Sequence, residues 1–121
     1  MSLTNHGEDA LLTLFKEAGP YYLALFTTAP GETGGGTEVS GGAYARQQVT
    51  FGTPSSGTMK NSAAIEFPTA TASWGTAVAW GLCDAKSGGN LVWYGTITTP
   101  KELLAGDIYR VHANNLTLTM D

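Results

Sequence analysis

Apolar positions follow a helical period in only one stretch of the chain. Leu11, Leu14, Phe15 and Ala18 fall on one face and predict a helix over residues 5–18. Asn5 is placed to cap it, Glu8 three residues on would complete a capping box, and Lys16 suits the negative end of the helix dipole. Gly19-Pro20 should end it, with Gly19 in the left-handed position. Beyond Pro20 the period drops to two. Residues 21–28 (YYLALFTT) are apolar on both faces and predict a central, best-buried strand. Residues 32–42 (ETGGGTEVSGG) offer nothing to bury and predict a long exposed loop.

Alternation resumes over residues 44–51, with Ala45, Gln47, Val49 and Phe51 on one face, and after a connection at 52–60 a short strand follows at 63–67, aligning Ala63, Ile65 and Phe67. Residues 76–83 put Val78, Trp80 and Leu82 on one face and Ala77, Ala79, Gly81 and Cys83 on the other, so a neighbour must approach the small face closely. A hairpin loop at 84–90 leads into a strand at 91–98, an excursion at 100–106, and two last strands at 107–113 and 116–120. With about seven strands, glycine-rich turns and one helix, the expected class is mainly β: an antiparallel β-sandwich with one N-terminal α-helix. The chain is read as a single domain over residues 1–121. The expected core is Leu23, Leu25, Val49, Phe51, Ile65, Phe67, Val78, Trp80, Leu82, Trp93, Ile97, Leu116 and Leu118, with the helix packed on it through Leu11, Leu14 and Phe15.

Composition sharpens this picture mainly by exclusion. Only 13% of residues are charged and 42% are hydrophobic, which suits a folded domain and not a disordered chain. The net charge of -4 with six scattered bases leaves no footprint for nucleic acid. No apolar run approaches a membrane span, and the first residues have no export-signal pattern, so neither membrane nor export is expected. The lone Cys83 reads as a small buried hydrophobe.

Candidate chemistry is thin. His6 reads as solvated and His112 as half-exposed or cross-strand, Gly34-Gly35-Gly36 lacks the Lys-Ser/Thr of a phosphate loop, and Asn115-Leu116-Thr117 matches a glycosylation acceptor without a secretory context. No catalytic, cofactor-binding or metal residue is expected, and no cofactor. Arg46 interrupts an uncharged strand and wants a carboxylate, for which Glu66 and Asp84 are the expected partners. Exposed aromatics among Tyr21, Tyr22, Trp74, Trp80, Trp93 and Tyr94 would allow a sugar platform, but a domain this small needs most of them in its core.

The N-terminal helix, LALFTTAP at 23–30, GTEVSGGAYARQQVTFG beginning at Gly36, and the segments 72–80 and 88–99 together resemble a family of small structural proteins of tailed-bacteriophage virions, usually labelled tail-fibre proteins. The resemblance implies a non-enzymatic virion component, made in the host cytoplasm. A capsid decoration or cement subunit suits the chain's size, because a fibre needs length from repeats or coiled coils. A fibre, collar or tail-tip part is the alternative, and a carbohydrate-binding host-recognition module a more remote one. The expected partners are copies of the chain, as a trimer, and phage head or tail proteins. Leu11, Leu12, Thr37, Glu38, Val39, Tyr44 and Arg46 are the expected assembly interface, and the 32–42 loop is expected to order on contact.

Overall fold

In the computed structural model, which describes residues 2–120, the helix α1 spans Asn5–Ala18. Its cap is Thr4, one residue earlier than expected. The Thr4 hydroxyl accepts the Gly7 N–H at 3.1 Å, so no capping box with Glu8 forms. Gly19 is extended rather than left-handed, and its N–H bonds the Lys16 carbonyl.

Nine strands follow among the described residues: β1 (Tyr21–Thr28), β2 (Thr37–Glu38), β3 (Gln47–Val49), β4 (Thr58–Lys60), β5 (Ile65–Glu66), β6 (Gly75–Cys83), β7 (Leu91–Leu103), β8 (Arg110–Val111) and β9 (Thr117–Thr119). The class is mainly β, with antiparallel ladders and one N-terminal helix, as the alternation predicts. A five-stranded sheet runs β2-β1-β6-β7 with β3 also on β1, and β4-β9 and β5-β8 form two small sheets.

The chain divides into two compact units, the first holding residues 21–48 and 66–110. It carries the five-stranded sheet. β1 is central and is buried from Leu23 to Phe26. It pairs with β6 in the register Leu23↔Leu82, Leu25↔Trp80. On the opposite face Ala24, Phe26, Ala79 and Cys83 form a small buried cluster, against which Val78 and Leu91 pack. Gly81 lies beneath it. A Cβ there would stand 2.7 Å from the Phe26 ring and 2.6 Å from Leu91, which is the close approach its small-residue face predicts.

Two expectations fail in this unit. The excursion expected at 100–106 is confined to a turn at 104–106: β7 continues through Pro100 to Leu103, bulging away from β6 between Thr96 and Lys101, where an outermost strand tolerates the missing proline N–H. Val78, Trp80, Trp93 and Ile97 are half-buried, and the better-buried face of β6 is the small one, Ala77 and Ala79.

The second unit comprises residues 2–20, 49–65 and 111–120 among those described. Here β4, which the sequence reads as connection, pairs with β9 in the register Met59↔Leu118. Its centre is Leu12, Phe51, Met59, Leu116 and Leu118, all at or below 5% exposure. α1 therefore points Leu12 inward and leaves Leu11 (43%) and Leu14 (63%) outside, against the packing expected from the sequence, of which Phe15 alone is half-buried. The Asp9 carboxylate fixes that orientation by accepting the Gly57 N–H at 2.8 Å.

Asn61 is fully buried in this unit. Its amide donates to the carbonyls of Ala63 (2.9 Å) and His112 (3.0 Å), and its Oδ1 accepts the Leu116 N–H (2.8 Å).

Candidate functional site

The block that begins at Gly36 starts on a residue only glycine can fill. Gly36 has φ +72°, and a Cβ would stand 2.5 Å from the Thr28 carbonyl oxygen. This brings β2 alongside β1, with Phe26 opposite Glu38, and the Val39 N–H donates to the Leu25 carbonyl. Val39 is buried at 4% exposure. The 32–42 segment is thus paired and partly interior, where its glycine content predicts an exposed loop.

From Glu38 the chain turns through two glycines and returns so that Tyr44 and Arg46 face the same carboxylate. The Tyr44 hydroxyl donates to Glu38 Oε2 at 2.6 Å and accepts the Leu25 N–H at 3.0 Å. Arg46 grips Glu38 bidentately, Nε to Oε2 at 2.9 Å and Nη2 to Oε1 at 2.8 Å. Its Nη1 reaches the hairpin tip, donating to the carbonyls of Ala85 and Gly88 at 2.9 and 2.8 Å. That tip is itself held by Asp84, whose carboxylate accepts the Asn90 N–H and side-chain amide. The partner of Arg46 is therefore Glu38, eight residues away, and not Glu66 or Asp84. Glu66 instead pairs with Arg110.

Burial opposes the charge on Glu38, yet the bonds from Arg46 and Tyr44 outweigh it and hold the carboxyl below the usual glutamate range. The Glu38 bond raises the Arg46 guanidinium further. Burial first, then the bond to Glu38, pushes the Tyr44 phenol far up, so it stays a neutral donor.

Below this network lies an aromatic cluster. Tyr44 stacks on Phe67 at 6.1 Å and meets Trp74 edge-on at 5.4 Å. The Gly42 carbonyl accepts both the Thr71 N–H and the Trp74 indole N–H.

The Glu38–Arg46 pair stands between two open clefts of about 550 and about 560 Å3, one walled by Ser40, Gly41 and Lys86, the other by Glu32, Asn90 and Leu91. Neither gathers reactive groups. Cys83, on the second, is buried, and burial pushes its thiol up, away from reactivity. Among the described residues, no three His, Cys, Asp or Glu side chains are grouped to hold a metal, and no helix is long and apolar enough to cross a membrane. Among the described residues, no buried side-chain nitrogen or oxygen lacks a partner. The arrangement is a strap, tying residues 36–46 to a central strand, a hairpin tip and an aromatic cluster.

Of the expected interface residues, Glu38, Val39, Tyr44 and Arg46 are spent internally in this way, and Leu12 is buried in the other unit. Thr37 and Leu11 remain outward, and so does Leu14, which the sequence places in the packing face instead. His6 and His112 are exposed. Asn61 was invisible to sequence reasoning, since a lone asparagine between Lys60 and Ser62 reads as a turn. The Glu38 partner carried a signal: Glu and Arg flank a Gly-Gly reversal within one block.

No curated protein matches the chain. A family model described as "Podophage GP4 fiber I protein gp80" matches residues 3–119, nearly the full length and the whole of the strap. The chain belongs to this podophage fiber I family and with it to the structural proteins of the tailed-phage virion.

Proposed function

We propose that the chain is a non-enzymatic subunit of a podophage fibre, present in several copies and attached to the virion through the outward side of α1. The family match over residues 3–119 carries this reading. The geometry supports it, because the block most particular to the family spends its charged and aromatic groups on internal bonds, which rigidifies a scaffold and leaves little for chemistry. Leu11 and Leu14, exposed one helical turn apart, take the attachment role that sequence alone gives to Leu11 and Leu12.

A capsid decoration subunit is the second reading, favoured by one observation: 121 residues in two small units contain no long fibrous repeat. Gold labelling of a tagged chain on intact particles separates the two. Label at the tail fibres supports the proposal, whereas label spread over the head shell replaces it with the decoration reading. Loss of particle incorporation on changing Leu14 to Glu supports the attachment surface, and undiminished incorporation removes it.

A further inference from the structure

α1 is apolar on two opposite sides. Leu12 is buried beside Glu8, while the other side exposes Leu11, Leu14, Ala10 and Ala18. Leu3, also exposed, lengthens this outer stripe, because its side chain folds back to 3.6 Å from where a Gly7 Cβ would stand. The stripe itself carries no charge. His6 and Glu17, both exposed, lie along one flank of it, since the eleven residues between them are close to three whole turns. The other charges of α1 are turned away: Glu8 is buried, Asp9 holds Gly57, and Lys16 follows Leu12 by one turn.

We propose that this outer side pairs with α1 of a second copy, antiparallel and about a two-fold axis near Ala10 and Leu11. Running the helices in opposite directions sets Leu11 level with Ala10 of the other copy. It also sets Leu14 level with Gly7, where it meets the folded-back Leu3. The same reversal brings His6 to Glu17 of the other copy at each end of the pair, and places Glu17 at the positive end of the opposite helix dipole.

A parallel pair or a three-fold bundle would instead set His6 level with His6 and Glu17 level with Glu17, with the dipoles aligned. Charge therefore selects a reversed second copy, and two-fold pairing replaces the trimer expected from sequence. This inference rests on the reading of the outer side of α1 as a contact surface, and names its occupant as a neighbouring copy of the chain. One pair of 14-residue helices is smaller than a standard interface, so the contact is weak in solution and gains by repetition on the particle.

Sedimentation of the whole chain tests it. The wild type is expected to pass from monomer to dimer near about 100 µM. His6→Glu sets two carboxylates together at each end and should weaken association about fivefold. His6→Glu with Glu17→Lys exchanges the charges and should restore it. Within one copy the two positions lie about 16 Å apart and cannot interact directly. Both changes suit their helix ends, acid in the first turn and base in the last, and far-UV dichroism checks the fold. Independently, Ala10→Cys should form a disulfide dimer under mild oxidation, because the two copies of that position lie beside the axis and Cys83 is buried. Leu3→Cys, at the far ends of the pair, should not. A wild type that is monomeric at about 500 µM or trimeric, a double variant no better than His6→Glu, or cross-linking through Leu3→Cys overturns the pairing. A wild type that stays monomeric while Leu14→Glu is lost from particles removes the pairing and leaves the attachment reading; pairing in solution with undiminished incorporation of Leu14→Glu does the reverse.

Discussion

Glu38 is asked to stay ionised at a site where burial disfavours its charge, and it does so because two donors converge on it. The folded state therefore binds the proton less tightly than the unfolded chain. The resulting stability is fully present above the ordinary glutamate value and drains away as pH falls through the lower folded value. Glu38→Gln should cost about 2 kcal/mol near neutrality and should flatten the acid limb of the stability curve. Urea midpoints measured from about pH 6 to about pH 3 check this, and parallel curves for the two proteins would refute it. Asn61 carries a comparable weight without charge. Asn61→Leu fits the volume but strands the Leu116 N–H and the carbonyls of Ala63 and His112, for a loss of about 3 kcal/mol in the same denaturation experiment.

At the scale of elements, α1 separates its two apolar sides by substitution. Leu12→Glu, at 1% exposure, should destabilise by about 4 kcal/mol, whereas Leu14→Glu, at 63%, should stay within about 0.5 kcal/mol. Equal losses in thermal melts would mean that the helix is turned otherwise. The bounds of α1 were legible because its apolar period and the Gly19-Pro20 stop agree, but the inward face was not: Leu11, Leu12, Leu14 and Phe15 draw two overlapping stripes, and distant contacts such as the Asp9–Gly57 bond decide between them. Likewise β1 and β6 could be read from alternation, including the tight face over Gly81. Gly81→Ala should cost about 2 kcal/mol, measured by urea denaturation, because both the buried Phe26 ring and Leu91 would have to shift. β4 was hidden because Met59 is a lone apolar residue between polar neighbours, and its pairing with β9 is set by partners nearly sixty residues away. In the candidate site, the same distance problem concealed the grip of Arg46 on the 84–90 tip, whereas the Glu38–Arg46 pair lay within a single block.

The whole molecule shows why local signals could go no further: the unit built on α1 draws on three separated stretches, and the chain enters and leaves it repeatedly. Removing residues 112–121 should therefore abolish cooperative unfolding of that unit, since β9 with Leu116 and Leu118 fills its centre. Tryptophan fluorescence and far-UV dichroism during denaturation would show it, and an unchanged cooperative transition in the truncated protein would count against the interleaving. The same interleaving bears on synthesis. A chain emerging from the ribosome can pair β1 with β6 and β7 while β9 is still in the exit tunnel, yet α1 must wait for β9 before Leu12 is covered. α1 is made early and buried late, so its apolar side stays open to chaperones, or to wrong partners, until β9 has emerged.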